Sequence, residues 1–189
     1  MIAQRWHIAV LLVLLACRLM VRAQQPEVCT SAIPANIRAG MLAREVITIL
    51  HASPTFRAQC ERIAAVPSVH VDMIVVQSRE TPRTETSIAR YAFGAIRADV
   101  RIAFGQDYRE MIAHEFEHVI EQIDGVDLRA EAATRGAWLI DRNVFETRRA
   151  SEAGKRVRRE CEISESHAAA ENHHELRGRA RRNDLGRGQ

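Results

Sequence analysis

Lysine is nearly absent from this chain. The 27 basic residues include a single one, Lys155, and all the others are arginine. That skew suggests a GC-rich coding sequence rather than a function. None of the 4 cysteines forms a Cys-x-x-Cys pair, which argues against a cysteine-built metal site. No internal repeat occurs. Long apolar runs are missing as well: the uninterrupted stretch Ile8–Cys17 covers about ten residues, too few to cross a bilayer as a mature helix. What remains is globular. Hydrophobic residues make up 47% of the chain and charged residues 27%, and 189 residues suit one domain of ordinary size with short extras.

The N-terminus places Arg5 before the apolar run and ends in "VRA" before "QQP". We read residues 1–23 as an export signal cleaved after Ala23. "LLAC" offers a rival, a lipobox with Cys17 as the lipidated residue, and membrane attachment is expected only through that route. Removing the signal takes away three arginines and no acid, leaving 24 basic against 24 acidic residues. The overall charge of +3 is therefore no argument for nucleic acid, and none is expected as a partner. The remaining concentration of arginine lies in 171–189, a glycine-containing basic tail expected to lack fixed structure. Residues 24–170 are expected to form one α+β domain. Export permits a bridge between Cys29 and Cys60, with Cys161 simply buried.

Apolar spacing predicts a helix over Ile37–Ile49 and a second from Pro54 to about Ala65, with Ser53 as its N-cap. "VHVDMIVV" (69–76) is a strand, and alternation predicts two more, in "SIARYAFGAI" and in "ADVRIAFG". Asp107 and Glu110 form a capping-box start for a helix that runs to about Ile123 and stops at Gly125. "LRAEAATRGAWLI" reads as a helix loosened at Gly136. "NVFETRRASEAGKRVRRECE" reads as a helix throughout.

The capped helix contains "AHEFEHVIEQI", with His114 and His118 four apart and Glu115 directly after the first. Residues at i and i+4 project from one side of a helix, so two imidazoles can grip one ion. Glu115 points about a quarter turn aside, where it can take a proton from an attacking water. On a wheel of about 100° per residue, Ile112, Phe116, Val119, Ile120 and Ile123 gather opposite the histidines. That arrangement suits either a metal face opening into a cleft or a pair of solvated histidines. A shuffled chain with 8 histidines would contain His-Glu-x-x-His by chance roughly 3% of the time, so the motif gains weight from its capped helix and preceding strand.

Three acids compete for the place of a third ligand. Asp124 has the spacing of a longer motif, but Glu121 occupies the position where that motif turns on a glycine. Glu131, in "LRAEAA", reads as a solvated surface acid. Glu146 shares a helical face with Ala150, Ala153, Gly154, Val157 and Cys161, small or apolar apart from the acid, so its carboxylate requires a buried partner. A metal held by His114 and His118 would be that partner. A buried arginine is the alternative.

"HEFEHVIEQIDG" with a downstream glutamate in "VFETRRASEAGKRV" resembles the zincin metallopeptidases of the two-His/one-Glu (gluzincin) type. It is also similar to a group of short exported bacterial zincin-like proteins. The resemblance spans about Ala98 to Glu160. It implies a small zincin-like domain, with a short, mostly antiparallel sheet packed on the HExxH helix and flanking helices. It further implies Zn2+ on His114, His118 and Glu146, Glu115 as general base, and hydrolysis of a peptide or protein substrate. An edge strand, here "ADVRIAF", would hold that substrate. No motif places Tyr91, Tyr108, His167, His173 or His174 in the chemistry. Two other readings stand beside this one: a zinc-binding protein without turnover, and a structural or interaction domain without metal.

Overall fold

The structure, a computed structural model, describes residues 32–77, 84–134, 136–141 and 144–185. The expected export signal, Cys17 and Cys29 lie outside them. Along the chain come β1 (Ile37–Arg38), a 3₁₀ turn, α1 (Ala43–Ala52), α2 (Pro54–Ala64), β2 (Val69–Val76), β3 (Glu85–Arg90) and β4 (Ile96–Ala103). There follow α3 (Tyr108–Ile123), α4 (Leu128–Ala133), β5 (Ala137–Asp141), β6 (Val144–Thr147) and α5 (Arg148–Leu185). The class is α+β. No described helix is long and apolar enough to cross a membrane.

Local chemistry accounts for most boundaries. Ser53 caps α2, its hydroxyl accepting the Phe56 N–H at 3.0 Å, and Pro54 takes the first helical position. Asp107 caps α3 by accepting the Arg109 N–H at 3.0 Å, and Gly125 supplies the left-handed residue after its end (φ 72°). Glu110 does not complete the expected capping box; its carboxylate pairs with Arg158 of α5. The first helix begins at Ala43 rather than Ile37. Ile37 is drawn into the sheet opposite Val71, and Gly40 turns the chain at positive φ.

The four-stranded sheet has the order β1-β2-β4-β3 and is mixed: β1 and β4 run parallel to β2, and β3 runs antiparallel to β4. This corrects two expectations. The sheet is less antiparallel than expected, although β3–β4 and β5–β6 are both antiparallel pairs. The "ADVRIAF" strand is central, paired on both sides, and β3 is the edge. Alternation then sorts the faces. Val69, Val71, Ala98, Val100 and Ile102 turn inward onto the helices, and His70, Arg97 and Arg101 turn outward. The outward face is polar, with Arg97 bridging to Asp72 (3.1 Å) and Arg101 to Glu85 (3.2 Å).

The core lies between the inward face and the helices. Ile112, Phe116, Val119 and Ile120 of α3 are all buried, as the wheel requires, and Phe116 stacks on Phe56 of α2 with ring centres 5.2 Å apart. Helix α5 closes the other flank with Ala150, Gly154, Val157 and Cys161 buried along one stripe. Cys60 and Cys161 are both buried free thiols. Burial, with some help from Glu61, pushes Cys60 up to about 12, and burial pushes Cys161 up to about 11, so neither is a nucleophile at neutral pH. The segment read as one helix around Gly136 divides into α4 and β5. β5 pairs with β6 as a separate hairpin. Helix α5 runs through Ala168–Ala170 to Leu185, into the stretch read from sequence as unstructured, where alanine and arginine favour helix.

The contact between α3 and α5 rests on Gly154. A Cβ there would stand 2.7 Å from the Glu110 carbonyl oxygen and 3.2 Å from His114 Cβ. Gly154→Ala should therefore destabilise the fold by about 1–3 kcal/mol by forcing the helices apart, despite the better helix propensity of alanine. Thermal unfolding of the variant measures this, and an unchanged or raised midpoint would contradict it.

Glu160 of α5 lies over the start of α2. It accepts from the Ser53 hydroxyl, the Thr55 hydroxyl (2.6 Å) and the Thr55 N–H (3.1 Å). Burial alone would raise its carboxyl, but these donors hold it below the usual range. A depressed folded value means its contribution is complete above the unfolded value of about 4.3 and is lost as pH falls through the folded one. Glu160→Gln should lower the melting temperature at pH 7 and narrow the difference between melting at pH 6 and at pH 3. Equal differences in the two proteins would exclude the effect.

Candidate functional site

Helix α3 carries the paired histidines and Glu115. Its spacing puts His114 and His118 on one side, with ring centres 5.0 Å apart and edges meeting at 77°. Neither is solvated: their side chains are 13% and 12% exposed, which decides for a covered face over a surface one. The cover is the β5–β6 hairpin. From β6, opposite Trp138 in register, Glu146 extends its carboxylate over both rings. Its Oε2 lies 3.2 Å from His114 Nε2 and its Oε1 lies 3.8 Å from His118 Nε2.

Glu146 is thus at the histidines, but not on the helix from which the sequence reading argued for it. It belongs to a strand that ends one residue before α5 begins. The inference of a buried helical face holds from Ala150 onward, and the acid lies just upstream of it. The other two acids are elsewhere. Asp124 follows the end of α3, and its carboxylate is taken by Arg62 and Arg149 (2.9 Å). Glu131 is exposed on α4, where the Thr134 hydroxyl approaches it. Tyr91 and Tyr108 are not among the residues lining the cleft described below, and His167 is exposed on α5.

Among the described residues, His114, His118 and Glu146 form the one group of three able to offer nitrogen and oxygen ligands to a common ion, all within 4.8 Å of one another. Tetrahedral bonds of about 2.0–2.1 Å place neighbouring ligand atoms roughly 3.3 Å apart. Glu146 offers a different oxygen to each ring, at 3.2 Å from His114 and 3.8 Å from His118, both close to that spacing. Two neutral imidazoles and a carboxylate also form a ligand set suited to a borderline divalent ion. The residues fit a metal.

Glu115 is 3% exposed, and its Oε2 accepts from the Thr86 hydroxyl of β3 at 2.6 Å. Burial pushes its carboxyl above the usual range; Thr86 and the two imidazoles counter this only in part. Burial alone would lower His118. The hydrogen bond to Glu121 and the charges of Glu115, Glu121 and Glu146 outweigh it and raise the imidazole. For Glu146 burial would raise the carboxyl, but the His114 contact, both imidazoles and the Thr147 N–H hold it down.

A cleft of about 590 Å³ opens beside these groups. Thr84 and the adjoining β3 edge as far as Ile88 form one wall. Ile140, Val144 and Phe145 of the hairpin form the other, and α3 is the floor. Among the described lining residues there is no arginine or lysine.

Three residues of the site are given no role in it from the sequence. Glu121 is buried beside His118 at i+3, a spacing that signals contact on a helix. Thr147 precedes a helix start and has the composition of an N-cap. Thr86 carries no sequence signal, because its contact with Glu115 depends on which strand becomes the edge. Compared with protein-family models, curated proteins and solved structures, the chain matches none.

Proposed function

We propose that this protein is a zinc-dependent metallopeptidase-like hydrolase of the two-His/one-Glu zincin type, acting on peptide or protein substrates after export. The observation that carries the reading is the convergence of His114 Nε2, His118 Nε2 and the Glu146 carboxylate beside an open cleft, with Glu115 one residue along the same helix.

His114, His118 and Glu146 would hold the ion. When bound, zinc supplies a Lewis acid that polarises a carbonyl and acidifies water. Glu115 takes the proton of the attacking water and delivers it to the leaving amine, so that one carboxyl serves as base and then acid. Its upward-shifted carboxyl suits that double use. The Thr86 hydroxyl fixes one oxygen of Glu115 and leaves the other for the proton. An extended substrate can lie along β3, which has β4 on only one side. The hairpin wall of Ile140, Val144 and Phe145 favours apolar side chains there.

A second reading, metal binding without turnover, draws on the depth of Glu115: at 3% exposure with its Oε2 engaged, the base is less open than the cleft around it.

The purified protein should bind one equivalent of zinc and lose it to chelator. With zinc at about 100 times Kd the gain in stability is about 2.7 kcal/mol, read as a raised melting temperature. His118→Ala should abolish binding and Glu146→Ala should weaken it. Glu115→Gln should keep the metal while lowering peptide hydrolysis by about 10²–10⁴-fold. Absence of zinc binding would overturn the whole reading, and binding with no hydrolysis of any peptide would leave the second one. Among peptide substrates, those with uncharged apolar residues flanking the cut should be preferred to acidic ones, because Glu115 and Glu146 line the cleft and no arginine or lysine is among its described lining residues. Cleavage profiling of a mixed peptide library tests that preference, and an acidic preference would refute it.

A further inference from the structure

Glu121 is one of the most deeply buried side chains in the protein, at 2% exposure, and it is a carboxylate. Burying such a group is costly unless both oxygens are satisfied. They are. Oε2 lies 2.9 Å from His118 Nδ1, and Oε1 accepts the Thr147 hydroxyl at 2.6 Å. A carboxylate has no proton to give, so the bond to His118 places the ring proton on Nδ1 and leaves Nε2 with its lone pair free. That is the nitrogen facing Glu146.

Thr147 continues the chain of contacts. Its hydroxyl oxygen accepts the Ala150 N–H at 3.0 Å and so caps α5, and its own N–H donates to Glu146 Oε1 at 2.9 Å. One threonine therefore touches the carboxylate behind His118, the carboxylate of Glu146 and the first turn of the long helix. This matters because Glu146 comes from a two-stranded hairpin outside the main sheet. A lone hairpin of that size has little stability of its own. Something must hold Glu146 against α3, and the contacts of Thr147 do so.

We propose that Glu121 and Thr147 are positioning residues for the metal group, forming a brace that sets the His118 tautomer and fixes Glu146 relative to the imidazoles. The brace rests on the metal-binding reading above. It acts on affinity: a ligand set held in place loses less freedom when the ion arrives, and outer partners of this kind contribute about 10–100-fold to metal affinity.

Zinc affinity, measured by competition with a chromophoric chelator at a temperature where every variant is folded, tests this. Glu121→Gln preserves shape and should weaken binding about 10-fold or more. Thr147→Val, isosteric but without the hydroxyl, should weaken it similarly, and Thr147→Ser should restore wild-type affinity. A merely structural role for Thr147 as the α5 cap would lower the melting temperature of Thr147→Val and leave the affinity of the folded protein unchanged. If Glu121→Gln does not fold, the valine and serine pair at Thr147 still decides. Wild-type binding with both the glutamine and valine variants within twofold of it overturns the brace alone. A wild type that binds no zinc overturns the metal reading and the brace with it.

Discussion

Where α5 crosses α3, the absence of a single side chain sets the distance. Gly154 brings the backbone of α5 against the Glu110 carbonyl and the Cβ of His114, closer than any other residue would allow. The N-terminal end of α5 is thereby fixed over the second half of α3. Thr147 and Glu146 directly precede that end, so the same contact brings the Glu146 carboxylate to the two imidazoles. Core stripe and candidate site share one geometric origin. The small residues along α5 are there for approach rather than for apolar area.

Helix α3 then distributes the approach. Besides its histidines it carries three buried acids, Glu115, Glu117 and Glu121, each directed at a different part of the fold. Glu115 reaches Thr86 on the sheet edge. Glu117 binds Gln59 of α2 and Arg149 of α5, both at 2.6 Å. Glu121 reaches Thr147 and His118. Removing a partner from any of them leaves a desolvated charge, which is far costlier than the contact is worth when intact. The helix is thus registered against its neighbours by specific polar contacts as well as by Phe116 and its apolar companions.

Much of this was legible from residues alone. The capped start at Asp107, the stop at Gly125, the apolar stripe and the paired histidines are local features, and local features survive in a sequence. The same holds for the Ser53–Pro54 start of α2 and for the β-branched run of β2. The misplacements have a common cause in long-range pairing. Glu146 and Ala150 are four apart, which imitates helical spacing, yet Val144 to Thr147 pair with β5 and the helix begins only after them. The β-branched and aromatic residues of "VFET" were the available sign. Ile37 followed helical periodicity but was claimed by β2. The edge position of β3, and with it the role of Thr86, depends on the order of strands, which no spacing within a strand encodes.

The separateness of the hairpin has an evolutionary consequence. The main sheet, α1 to α3 and the stripe of α5 form the core without any side chain from β5 or β6, apart from buried Ala137 and Thr147 at its base. Described hairpin residues outside the core, such as Ile140, Val144 and Phe145, can therefore be exchanged without unpicking it. A chain built on this plan can revise one wall of its cleft while keeping the same folded body.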